Sequence, residues 1–121
     1  MKTYQLIFSI ILLAFCTACV QKSSNKTVVV KLNVQNEKDI KSVGIRGEQR
    51  PLSWRSDQEM TAVKKDTTYT TSFSLVTGYK FAEIKFTVNG EFEFNDMPNR
   101  KIFFDTKDTT YYEATFNKLD K

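Results

Sequence analysis

From Thr27 onward the apolar residues of this chain recur at every second position, and that period constrains the fold more than any other feature. Val28, Val30, Leu32 and Val34 alternate with Thr27, Val29, Lys31 and Asn33, the pattern of a strand with one buried face. Val43 and Ile45 form a short second strand, ended by Gly47 and then Pro51. Tyr69, Thr71, Phe73 and Leu75 alternate with Thr70, Ser72 and Ser74, and Ile84, Phe86 and Val88 alternate with Glu83, Lys85 and Thr87. Residues 102–104 make a brief apolar run, and Tyr112, Ala114 and Phe116 give a last strand. No segment carries a helical stripe, and the abundance of Thr, Val, Phe and Tyr agrees with strand preference.

Strands of this number and spacing predict an all-β domain over residues 27–121, an immunoglobulin-like antiparallel β-sandwich. The chain is 121 residues long, at most one ordinary domain. It contains no histidine, so imidazole bases and His-ligated zinc or iron sites are excluded; no metal or other cofactor is expected. Its 18 Lys+Arg against 14 Asp+Glu give a net charge of +4, spread along the chain rather than gathered into the basic stripe that nucleic acid requires.

The first residues do not belong to this domain. Lys2 precedes a charge-free apolar run over residues 6–15, too short for a spanning helix and shaped like a secretory signal. Ala18-Cys19 then resembles the lipobox of bacterial lipoproteins, in which the cysteine becomes the lipidated first residue after cleavage; Cys16 stands where that motif prefers leucine. The expected organisation is a lipoprotein signal peptide at 1–18, lipidated Cys19 with a polar tether through 26, and the β domain beyond. A Cys16–Cys19 disulfide is the alternative. With Cys19 acylated the mature chain has no disulfide, and a domain of roughly a hundred residues can stand on its hydrophobic core alone.

Asn89-Gly90, between two strand-like runs, favours a two-residue type I′ turn, whose central residues both need positive φ. In that register Val88 faces Glu91, Thr87 faces Phe92, Phe86 faces Glu93 and Lys85 faces Phe94. If Ile84, Phe86 and Val88 point inward, Phe92 and Phe94 point outward beside Lys85 and Thr87. A three-residue loop would instead turn both phenylalanines into the core. A second local feature is the echo of Lys65-Asp66-Thr67-Thr68-Tyr69 in Lys107-Asp108-Thr109-Thr110-Tyr111, which reads as one hairpin solution used twice.

Gly44-Ile45-Arg46-Gly47, Leu52-Ser53-Trp54, Met60, Glu83-Ile84-Lys85-Phe86 and Pro98-Asn99-Arg100 occur in the order seen in starch-binding modules of carbohydrate-binding family 20. The domain resembles that family over nearly its whole length, and its Lys-Phe-x-Val-x-Gly hairpin is similar to that of the related glycogen-binding family 48. The resemblance implies a glucan site in which Trp54 is the first tryptophan, Lys85 the lysine and Asn99 the asparagine that binds sugar hydroxyls. The second tryptophan falls on Phe94 and the glutamate after it on Asn95; in the glycogen-binding relatives the aromatic comes sooner, which selects Phe92. Trp54 read without the family is a loop tryptophan plugging the end of the sandwich, and Lys85 a solvated strand lysine.

A hydrolase needs two positioned carboxylates. Asp57/Glu59, Glu91/Glu93 and Asp105/Asp108 have the spacing of a solvated β-surface, so no enzyme is expected. The function implied is a non-catalytic module that binds α-glucan or a related oligosaccharide, held on a bacterial membrane by its lipid in the periplasm or at the cell surface. The alternative is an immunoglobulin-like lipoprotein that contacts a protein partner as a structural adaptor.

Overall fold

The described residues form nine strands: β1 (Ser24–Asn33), β2 (Val43–Gly47), β3 (Gln58–Glu59), β4 (Thr61–Lys64), β5 (Thr68–Thr77), β6 (Phe81–Val88), β7 (Glu91–Phe92), β8 (Arg100–Phe103) and β9 (Thr109–Thr115). The computed structural model describes residues 22–120. Residues 1–18, expected to be a signal peptide, and Cys19 lie outside the described residues.

The alternation read in the sequence is what builds the core. Val28, Val30 and Leu32 of β1 are fully buried, while Thr27, Val29 and Lys31 point to the other side. β1 sits inside a four-stranded sheet of order β4-β5-β1-β9. The second sheet runs β3-β2-β6, and both β7 and β8 pair with the remaining edge of β6. Ile45, Ile84 and Phe86 of that sheet meet Val28, Val30, Leu32, Phe73 and Leu75 of the first in one apolar cluster. No strand is followed by a helix among the described residues, and the expected all-β sandwich is what forms.

Three features depart from the expectation. β1 and β9 run parallel, Thr27 beside Thr109 through Asn33 beside Thr115, so the sandwich is mixed rather than purely antiparallel. Parallel neighbours need a long crossover connection, and here everything between β1 and β9 supplies it. β3 and β4 had no signature in the sequence, since they are short and β4 is exposed at every residue. The echoed pentapeptide is not one hairpin used twice. Its first copy does link β4 to β5 within a sheet, with Asp66 at φ 63° and the buried Tyr69 hydroxyl accepting the Asp66 N–H at 3.1 Å. Its second copy carries the chain from β8 in one sheet to β9 in the other, and there the tyrosine, Tyr111, faces solvent.

The β6–β7 hairpin has the two-residue turn that Asn89-Gly90 demands, with φ of 53° and 79° at the two positions. Thr87 pairs with Phe92 and Val88 with Glu91. Asn89 also binds the β1–β2 connection. Its Oδ1 accepts the Lys41 and Ser42 N–H groups at 2.7 and 3.1 Å, and its Nδ2 donates to Asp39 O at 3.0 Å.

Candidate functional site

The outward face of the second sheet begins with a glycine. Gly44 of β2 lies beside Thr87 of β6, and the Asp57 carboxylate rests directly over it: a Cβ at position 44 would stand 2.6 Å from Asp57 Cγ and 2.9 Å from Thr87 Oγ1. Asp57 Oδ1 accepts from Arg46 Nε at 2.7 Å and from Thr87 Oγ1 at 2.8 Å. Arg46 Nη1 donates to the backbone oxygen of Trp54 at 3.3 Å. One ion pair therefore clamps the whole β2–β3 loop onto the sheet and brings Trp54 with it.

Trp54 is fixed from a second side, its Nε1 donating to Glu48 Oε2 at 2.6 Å. Its ring lies 6.4 Å from that of Phe92, tilted by 58°. The Arg46 guanidinium stands 4.9 Å from the Phe92 ring centre, within the range of a cation–π contact. Beside Trp54 the loop encloses an open depression of about 480 Å³ lined by Glu48, Arg50, Pro51 and Arg55.

Four of the six residues that the sequence put forward share this face. Trp54 and Phe92 form the aromatic pair. Lys85 lies directly across from Arg46 and half-buried between β2 and the β7–β8 edge. The β6–β8 register, Ile84 beside Arg100, continued by one residue brings exposed Asn99 abreast of Lys85. Asn95 lies beyond Phe92, on a shallow hollow of about 180 Å³ that it shares with Glu37, Phe94 and Asn117.

Phe94 is the correction. It is 8% exposed against 43% for Phe92, so it belongs to the interior and offers no ring to a ligand. Pairing of β7 with β6 runs only to the Glu93 N–H, which donates to Phe86 O at 3.0 Å. Phe94 then takes φ of 56°, which ends the strand's alternation, and its N–H donates to Asn117 Oδ1 at 2.8 Å. The expected pairing of Phe94 with Lys85 never forms.

What the sequence reading missed lies just beneath. Glu93, taken for part of a solvated surface, is completely buried, and Arg100 is buried against it. Arg100 grips the carboxylate with two donors, Nε to Oε1 at 2.7 Å and Nη2 to Oε2 at 3.0 Å. The same carboxylate accepts the Phe86 and Asn117 N–H groups, both at 3.1 Å. Arg100 Nη2 also reaches the Thr115 and Lys118 carbonyls at 2.8 and 2.7 Å, and Nη1 reaches Asp120 Oδ1 at 3.0 Å. Phe86 and Phe94 flank the guanidinium, at 5.5 and 4.8 Å. Burial works against the Arg100 charge, but the Glu93 carboxylate more than offsets it and holds the pKa above its ordinary value. Tyr112, donating to Asp120 Oδ2 at 2.5 Å, is pushed up to about 12, first by burial and then by that carboxylate. Every donor here is matched, so the cluster braces β7, β8 and residues 115–120 rather than presenting a reactive group.

No protein-family model and no curated protein matches the chain. Among the described residues there is no grouping of three or more Cys, Asp or Glu side chains that could hold a metal ion, and no helix long and apolar enough to cross a membrane.

A signal for Glu93 was present in the sequence. The two-residue turn that sends Phe92 outward sends Glu93 to the same side as Phe86, the core side, and a carboxylate there requires a cation. Arg100, seven residues on, was the nearest arginine. Arg46 and Asp57 had no such signal, because nothing in the spacing of Gly44-Ile45-Arg46 foretells that the following loop folds back over it.

Proposed function

We propose that this protein is a non-catalytic carbohydrate-binding module for α-glucan or a related oligosaccharide, tethered to a bacterial membrane through Cys19. The observation that carries the reading is the Trp54–Phe92 pair, two tilted rings 6.4 Å apart on an outward sheet face, with Arg46, Lys85 and Asn99 beside them. A pyranose has one face rich in C–H groups. A flat ring covers that face and gains roughly 25 cal/mol for each Å² of apolar area removed from water. The sugar hydroxyls stay free for polar partners, and lysine and asparagine donate to them. The Arg46–Asp57 clamp holds the loop before any ligand arrives, so little ordering cost remains at binding. Two carboxylates of this face are engaged, Asp57 by Arg46 and Thr87, and Glu48 by Trp54.

Migration of the protein through an amylose-containing native gel tests the reading. Retardation supports the sugar module, whereas free migration assigns the domain to a protein partner instead. In a titration with a malto-oligosaccharide, Trp54→Ala is expected to cost about 1–2 kcal/mol of binding, the scale of one aromatic contact and its buried area, or roughly ten-fold in affinity for each 1.4 kcal/mol. The melt should stay cooperative, since the Arg46 contact to position 54 is to the backbone. Unchanged affinity in that variant would remove Trp54 from the site.

The anchor has its own test. Metabolic labelling with a fatty acid should mark the wild-type protein, and Cys19→Ser should abolish the label and leave an uncleaved precursor. A soluble, normally processed Cys19→Ser product would exclude the lipoprotein.

A further inference from the structure

The outward row of β6 is Phe81, Glu83, Lys85 and Thr87, and the site described above occupies only its second half. At the other end Phe81 lies across from Phe103 of β8. Their ring centres are 5.5 Å apart and tilted by 53°, and Lys101 Nζ stands 4.8 Å from the Phe81 centre. The same assembly thus occurs twice on one face: two tilted rings with a cation against one of them, Arg46 at 4.9 Å from Phe92 and Lys101 at 4.8 Å from Phe81. Cross-strand aromatic pairs are an ordinary means of stabilising a sheet. Phe103, however, is 66% exposed, and most of its apolar area gains nothing from the fold.

The two assemblies are in line. Phe92 and Phe103 flank the same edge of β6, because β7 and β8 both pair with that edge. Thr87 and Phe81, beside which they stand, are six residues apart, about 20 Å along an extended strand. Between them lie Glu83, Lys85, Asn99 and Lys101. That set mixes an acceptor, donors and an amide that is both, which suits sugar hydroxyls, themselves both donors and acceptors. A ligand of uniform charge would meet Glu83 or the lysines with the wrong sign.

We infer that the outward face of the second sheet is one continuous glycan-binding strip, in which Phe81, Phe103 and Lys101 form a second platform and the occupant is a single linear oligosaccharide long enough to touch both ends. The inference rests on the sugar-binding reading and adds to it that the module recognises chain length. A ligand held at both ends binds more tightly than either platform alone allows, because the second contact is made at high effective concentration.

The test compares maltotriose with maltoheptaose, followed by nuclear magnetic resonance on the intact protein. Wild type should bind the heptaose more tightly. Phe103→Ala should lose roughly ten-fold in heptaose affinity, the scale of one aromatic contact, and leave maltotriose affinity unchanged. Phe103→Tyr, which keeps a ring, should retain the heptaose affinity. Trp54→Ala should weaken both sugars. An equal loss for both sugars in Phe103→Ala, or no loss for either, would overturn the strip while leaving the Trp54 platform standing. Wild-type protein that binds neither sugar would overturn the sugar reading and the strip together.

Discussion

Arg100→Ala is expected to lose about 3–5 kcal/mol of stability, the scale for removing one partner of a buried ion pair. The guanidinium supplies both donors that grip Glu93, and it also satisfies the Thr115 and Lys118 carbonyls. Without it a fully buried carboxylate keeps only the Phe86 and Asn117 N–H groups. Domains of this size commonly have only about 5–15 kcal/mol in hand, so the variant would be partly unfolded under mild conditions. Urea unfolding followed by tryptophan fluorescence measures the loss. Removing both charges at once, as Glu93→Leu with Arg100→Met, should recover only part of it: the buried charge is gone, but the Phe86 and Asn117 N–H groups and the Thr115 and Lys118 carbonyls lose their partners. An Arg100→Ala domain within about 1 kcal/mol of wild type would mean that the pair braces nothing, since surface substitutions rarely exceed half that.

Gly44→Ala is the second large effect, and it should act on fold and site at once. The added methyl would meet Asp57 Cγ at 2.6 Å and Thr87 Oγ1 at 2.9 Å, inside any real contact distance. Thr87 is on a central strand and cannot retreat, so Asp57 must leave. Its departure releases Arg46 and the backbone of Trp54. Overpacking of this kind typically costs about 1–3 kcal/mol. If the loop swings away, glucan affinity should fall at least as far as in Trp54→Ala, although position 44 touches no ligand. A thermal melt and a malto-oligosaccharide titration on the same preparation read both effects. Lower stability with undiminished affinity would show that Trp54 holds its place without the Asp57 clamp.

The parts of the molecule that were legible in the sequence are those governed by local rules. Alternation placed Val28, Val30 and Leu32 inward, and Asn89-Gly90 set the hairpin register that carries Phe92 outward. Both follow from the geometry of a few consecutive residues. Phe94 was misplaced because a strand was extended past the point where it stops: one left-handed residue at position 94 ends the alternation, and phenylalanine gives no hint of it. Asp57 was illegible as the partner of Arg46 because the loop between them folds back over the sheet, which no local spacing foretells; the Glu93–Arg100 pair, seven residues apart, followed from the hairpin register but was overlooked. Residues 102–104 read only as an apolar run, yet Ile102 and Phe104 pack inward while Phe103 between them faces out. A period of two gives each strand two faces. Only the assembled sheets decide which one is buried.

The parallel pairing of β1 with β9 has a kinetic meaning. Thr27 pairs beside Thr109, so β1 meets its second neighbour only after β2 to β8 have intervened in the chain. Contacts of such long sequence separation slow folding, because loop-closure entropy is lost before any of them forms. Until β9 arrives, β1 presents an open edge and Val28, Val30 and Leu32 lack part of their cover. The four-stranded sheet is therefore complete only once β9 has joined β1, the longest-range pairing within it.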